Sequence, residues 1–258
     1  MYKKGENLQP LERDGVRLAA TVMLIRDGRA GLEVYMVKRT GRGAFPDLHV
    51  FPGGKVDEAD YAPGLCTEID DVQASRLLGV AAGGLRYWVA VARECFEECG
   101  VLLAWRGDDF VDFSDQQVVQ QFETYRAGLL DGSLDFNTLC EQEGLHIAAD
   151  QLAYFSHWIT PEMAPRRFNT RFFVAAMRHD QRTLPHAAEA ADDDWVTPAQ
   201  ALAKAESNEW QMIDPTLRSL ETLSQFADVQ SALVGIRSGE HLMPLTPELN
   251  AQGMQPLR

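Results

Sequence analysis

The stretch Leu85-Arg86-Tyr87-Trp88-Val89-Ala90-Val91-Ala92-Arg93-Glu94-Cys95-Phe96-Glu97-Glu98-Cys99-Gly100 carries the pattern on which the reading turns. At about 100° per residue, Leu85, Trp88, Val89, Ala92, Cys95, Phe96 and Cys99 gather on one side of a helix. Glu94, Glu97 and Glu98 share an arc of about 100° on the other. Gly100 supplies the C-terminal stop. The spacing therefore predicts a helix over Leu85–Cys99 with a core face and a carboxylate face. Trp88, Phe96, Cys95 and Cys99 read as core. Two readings of the carboxylates stand side by side. One is an ordinary solvated surface, since exposed like-charge neighbours cost only about 0.2–0.5 kcal/mol each. The other is a divalent-metal site, because Mg²⁺-like cations take hard oxygen ligands. The three acids also sit at the helix end where the macrodipole disfavours anions, a conflict that a cation would relieve.

Upstream, Val16 to Ile25 and Leu32 to Val37 read as a hairpin turning through Arg26-Asp27-Gly28-Arg29. A polar loop from Thr40 to Asp47 leads to a short strand at Val50-Phe51, which Pro52-Gly53-Gly54 breaks. A short helix is expected within Glu68 to Ala81. Downstream, Ser114 caps a helix to about Leu130, and Leu134 to Glu143 forms another. Leu152–Ile159 and Thr170–Met177 read as paired strands, and Trp195-Val196 ends a further strand. Helices follow at Thr197-Pro198 to about Ala205 and at Pro215 to Phe226. Strands and helices interleave without a linker, so the expectation is one mixed α/β domain over 1–243, followed by a turn-rich tail over 244–258.

Acidic residues outnumber basic ones 38 to 24, for a net charge of −14 at pH 7. So acidic a chain has no general pull on nucleic acid or on an anionic membrane, and neither is expected as a partner. An anionic substrate would need a local basic cluster or a bound cation. The cysteines Cys66, Cys95, Cys99 and Cys140 form no C-x-x-C motif. The first residues lack the apolar stretch of a signal peptide, and no apolar window reaches the length of a membrane span. A reducing cytoplasm is the expected setting.

Phe51-Pro52-Gly53-Gly54-Lys55-Val56-Asp57 together with Arg93-Glu94-Cys95-Phe96-Glu97-Glu98-Cys99-Gly100-Val101 resembles the box of the Nudix hydrolases, G-x5-E-x7-R-E-U-x-E-E-x-G-U. Cys95 stands in a U position, and Asp60 stands where the family has its first Glu. Between Asp60 and Arg93 lie 32 residues in place of seven. A long insertion of this kind, often with Asp at the first acidic position, is a feature of the peroxisomal coenzyme A diphosphatase branch and its bacterial relatives. Glu33 to Arg39, His49 to Gly54, Trp158 to Pro161, Arg167 to Phe173 and Trp195 to Pro198 are similar to that branch as well.

The resemblance implies an α/β/α Nudix sandwich around a mixed sheet, with helical insertions at about 61–84 and 108–143. It implies hydrolysis of a nucleoside diphosphate linked to another group, with coenzyme A or its acyl esters first and ADP-ribose or NADH as the alternative. A non-catalytic ligand-sensing module is the reading from a different class. Glu94, Glu97 and Glu98, helped by the Gly53 carbonyl, would hold Mg²⁺ or Mn²⁺. Glu97 or Glu98 would act as general base, with Glu162 as a loop alternative, and Arg93 would brace the site through Asp60 or a glutamate. Arg39, Arg42, Lys55, Arg166, Arg167 and Arg171 are the candidate contacts to substrate phosphates, since a guanidinium fork suits phosphate oxygens. His49 reads as packing. The insertions would serve as a lid, as a pocket or as the contact of a homodimer.

Overall fold

A computed structural model describes residues 8–40, 47–186, 188 and 190–239. Short β1 (Glu12–Arg13) precedes the hairpin of β2 (Val16–Gly28) and β3 (Gly31–Arg39). Then come β4 (His49–Val50), β5 (Gly53–Lys55), α1 (Asp71–Leu78) and α2 (Leu85–Cys99). An excursion follows with β6 (Ala104–Arg106), β7 (Asp109–Phe110), α3 (Gln116–Asp131), α4 (Phe136–Glu143) and β8 (Leu145–Ile147). The chain closes with β9 (Leu152–Ile159), β10 (Arg167–Ala176), β11 (Ala190–Val196), α5 (Pro198–Glu206), α6 (Asp214–Leu223) and α7 (Val229–Ser238).

The main sheet runs β11-β3-β2-β10-β9, with β1 and β5 also pairing with β2 and β4 with β3. It is mixed: β10 lies parallel to β2, and the other pairs are antiparallel. Side chains alternate between the two faces of a strand. Leu18, Ala20, Val22 and Leu24 of β2 therefore join α1, α2, α3 and α4 in one core, while Met23 and Ile25 join α5, α6 and α7 in the other. The result is an α/β/α sandwich.

The helix over Leu85–Cys99 has the bounds its periodicity predicts, yet it is more enclosed than a two-faced helix would be. Every residue from Leu85 to Ala92 is buried, because the insertions wrap its first two turns. The expected hairpin turn is corrected. Arg26 to Gly28 continue β2, and the chain reverses at Arg29-Ala30 instead. Arg26 earns its place in the strand through Glu33 across the ladder (2.8 Å) and the Trp195 ring beneath it (4.2 Å). Asp115, not Ser114, caps α3 by accepting from the Gln117 N–H. Helix α7 was not foreseen; Asp228 caps it and Gly239 ends it with φ 73°. The expected tail over 244–258 lies outside the described residues.

Candidate active site

Two neighbours of β2 bring the site together. Strand β5 places Gly53 beside Thr21 and Gly54 beside Ala20, and α2 crosses above them. A Cβ on Gly54 would stand 2.4 Å from the Glu94 carboxylate, so only a glycine lets that carboxylate lie against the strand. Gly53, at φ 153°, leaves no room either: a Cβ there would meet the Ala20 carbonyl at 2.4 Å. Its N–H donates to Glu98 Oε2 at 2.8 Å. The Pro-Gly-Gly run and the helix are thus one fitted unit.

Arg93 ties the acids together. Its Nε and Nη2 grip both oxygens of Asp60 at 2.9 and 3.0 Å. Nη1 donates to Glu94 (2.8 Å) and to Glu97 (3.1 Å), and Nη2 also reaches the Lys55 carbonyl at 2.9 Å. Asp60 is 1% exposed and takes a further hydrogen bond from the Asp57 N–H. Burial works against the Arg93 charge, but the hydrogen bond to Asp60 and the charges of Glu94, Asp60 and Glu97 outweigh it and raise its pKa. Burial pushes the Glu94 carboxyl upward; Arg93 opposes the shift and Glu97 adds to it. Glu97 moves the same way, again through burial first. One guanidinium therefore hydrogen-bonds three carboxylates, with Asp57 a fourth at 3.9 Å.

A profile of the NUDT19 Nudix domain matches residues 81–223. The chain belongs to that Nudix family. Among curated relatives, an acyl-coenzyme A diphosphatase NUDT19 of Xenopus laevis is 24% identical over 232 residues, covering 76% of this chain and 61% of the relative. A putative nudix hydrolase 7 of Caenorhabditis elegans is 27% identical over 213 residues, covering 82% of this chain and 62% of the relative. The chain thus spans about three-fifths of the length of these relatives. A crystal structure of a NUDIX hydrolase from Alicyclobacillus acidocaldarius superposes with a TM-score of 0.71 at 25% identity, over 89% of this chain and 98% of that one.

Around the Nudix helix the remaining candidates separate. Arg39, at the end of β3, lines a small recess with Glu98, Val37, His186 and Ala190. Lys55 is exposed beside Gly54. Arg42 lies outside the described residues. Arg171 must be corrected: it is 4% exposed and sealed beneath α1 and α2, donating to the Leu78 carbonyl of α1 (3.1 Å) and to Asn169 Oδ1 of its own strand (2.9 Å). Its strand position aims it at the Tyr87 ring, 5.6 Å away, so it braces the core and has no open side for a phosphate. Arg167 pairs with Val16, three residues down β2 from the Ala19 that faces Lys55, and its Nε is engaged by the Thr160 carbonyl. Arg166 and Glu162 are exposed in the same β9–β10 connection. His49 is buried and stacks on Trp210 at 4.2 Å.

Three groups were invisible to sequence reasoning, because only the folded chain brings them near. Arg126 of α3 donates to the carbonyls of Glu97 and Glu98. The N–H groups of Leu184 and His186 donate to the carbonyls of Cys99 and Glu98, each at 2.8 Å. A groove of about 730 Å³ lies elsewhere, among α1, the outer edge of β9 and the end of α7; Leu77, Trp88, Phe155 and Ile236 line it, and no box carboxylate does.

Proposed function

We propose that this chain is a metal-dependent Nudix pyrophosphohydrolase whose substrate is coenzyme A or an acyl-coenzyme A, with residues 1–243 acting as one catalytic unit. The observation that carries the reading is the cluster of Asp60, Glu94 and Glu97 on a single arginine, with the Glu94 carboxylate packed where Gly54 has no side chain. The names of the curated relatives support the coenzyme A preference.

The residues fit a hard divalent cation. Among the described residues no three acidic, imidazole or thiol side chains already converge as a ligand shell, since Arg93 and the Gly53 N–H hold the carboxylates. The donor set is nonetheless all oxygen, which suits Mg²⁺ or Mn²⁺ and not a soft metal. Glu94, Glu97, Glu98 and the Gly53 carbonyl would hold it. The chemistry such an ion supplies is neutralisation of the diphosphate oxygens and a more acidic water.

Each side chain then has a task. Glu97 has the most open side chain of the three acids that Arg93 grips, and as general base it takes the proton of the attacking water. Glu98, held on Gly53, is the other base position. The water oxygen forms a new bond to phosphorus, the bridging P–O bond breaks, and the departing phosphate carries away the bridging oxygen. Arg93 keeps Glu94 and Glu97 oriented, while Lys55 and Arg39 flank the acids as phosphate contacts.

Coenzyme A, ADP-ribose and NADH incubated separately with the protein and Mg²⁺ or Mn²⁺, with products weighed by mass spectrometry, test the reading. The expected products are 3′,5′-ADP and phosphopantetheine from coenzyme A. Turnover of ADP-ribose or NADH alone would move the chain to the dinucleotide alternative, and no turnover of any of them would favour a ligand-sensing module.

A further inference from the structure

An α-helix leaves its last four carbonyls without partners inside the helix. In α2 the last helical bond ends on Phe96, and the three carbonyls beyond it, of Glu97, Glu98 and Cys99, are answered from outside the helix. The Phe96 carbonyl accepts from the Gly100 N–H at 3.0 Å, and the Cys99 carbonyl from the Leu184 N–H at 2.8 Å. The Glu97 carbonyl accepts both Nε (3.0 Å) and Nη2 (2.9 Å) of Arg126, and the Glu98 carbonyl accepts Nη2 (3.0 Å) together with the His186 N–H (2.8 Å). The guanidinium fork thus grips the backbone of the two residues assigned as base positions. Its positive charge also stands at the negative end of the helix dipole, opposite in sense to the carboxylates there. Gly100, at φ 72°, turns the chain left-handed beside the guanidinium and ends the helix there.

The other end of α2 is held differently. Its N-cap, Gly84, has no side chain, and Asp71 of α1 accepts from the N–H groups of Gly83 (2.9 Å) and Leu85 (3.1 Å) instead. The two ends stand about 20 Å apart at 1.5 Å per residue.

We propose that Arg126 is a positioning residue for the hydrolytic site: by clamping the Glu97 and Glu98 carbonyls it sets the rotation of the last helical turn and hence where both carboxylates point. Helix α3 is then a clamp on the site. The inference rests on the metal-dependent reading above.

The test uses the full chain with Arg126→Met, Arg126→Lys and, as a control that weakens the far end of the same helix, Asp71→Ala. Mn²⁺ binding without nucleotide is read from the loss of the free-ion EPR signal, alongside Tm and the kcat and KM for coenzyme A. Arg126→Met is expected to weaken Mn²⁺ binding and lower kcat by about 10–100-fold each, as other partners that orient ligands do, with KM little changed. Arg126→Lys, which keeps the charge without the fork, should recover part of both. Asp71→Ala should lower Tm and leave Mn²⁺ binding and kcat as in the parent. Parental Mn²⁺ affinity and kcat in folded Arg126→Met would overturn the clamp, as would an equal loss in Asp71→Ala. A parent that binds Mn²⁺ but leaves coenzyme A intact removes the substrate reading, and the clamp then stands or falls on the Mn²⁺ comparison alone. A parent that takes up no Mn²⁺ overturns both.

Discussion

Glu94 shows how tightly the chemistry constrains single residues. Its carboxylate lies where a Cβ on Gly54 would be, while Arg93 holds it from the other side. Gly54→Ala should therefore displace the carboxylate, destabilise the fold by about 1–3 kcal/mol as overpacking does, and reduce activity well beyond that stability loss. A denaturant midpoint and an initial-rate assay on the same preparation separate the two effects. Glu98→Gln keeps an oxygen to accept from the Gly53 N–H but removes the charge. Turnover should fall by about 10²–10³ with Tm almost unchanged, and steady-state kinetics beside a thermal melt checks it. At this scale the sequence placed Arg93, Glu94, Glu97 and Glu98 on one helix, since their spacing is a local property. It misled for Arg171, whose neighbours in sequence suggest a basic cluster while its strand parity turns it into the core.

At the scale of elements, α2 is a helix that its own sequence starts poorly and ends in part. Gly100 supplies the left-handed stop, but the N-terminus begins on Gly83-Gly84, neither of which can cap with a side chain. Asp71 and Ser75, reaching over from α1, accept the three N–H groups of Gly83, Gly84 and Leu85. Asp71→Ala should accordingly cost about 1–2 kcal/mol, as the loss of a good N-cap does, and urea unfolding measures it. The insertion inside the Nudix box is thus the N-terminal cap of the box helix. No sequence motif announces this, because a cap supplied from a separate helix has no fixed spacing. The short strand β8 was illegible for a related reason: it owes its conformation to β6, far back along the chain, where Ala104 faces Ile147.

At the scale of the whole molecule, one buried histidine makes stability fall with acid. His157 is 2% exposed, donates from Nε2 to Asn169 Oδ1 at 2.6 Å, and shares that oxygen with Arg171. Burial foremost, and then the Arg171 charge, depress its pKa to about 3, with the Asn169 hydrogen bond opposing. Tyr87 from α2 and Tyr154 from β9 complete the ionisable surroundings of that arginine. The folded histidine stays neutral while the unfolded one titrates near 6.5, so below about pH 6.5 the unfolded chain binds the extra proton. Stability from this group is complete above that pH and drains away as the pH falls towards 3. Urea midpoints from pH 7 to 4.5 should drop more steeply for the parent than for His157→Gln.

What the chain determined by itself was what nearest neighbours and helical or strand periods can encode: the bounds of Leu85–Cys99, the hairpin strands, the capped start of α5, and the acids gathered on one helical face. Only the tertiary structure decided which cations reach those acids and what holds both ends of their helix. Arg93 meets Asp60, and Arg126 meets Glu97 and Glu98, across distances in sequence that no period spans. The physical reason is that a helix's orphaned end groups and a buried carboxylate each require a partner, while nothing in their own segment specifies where in the chain that partner must lie.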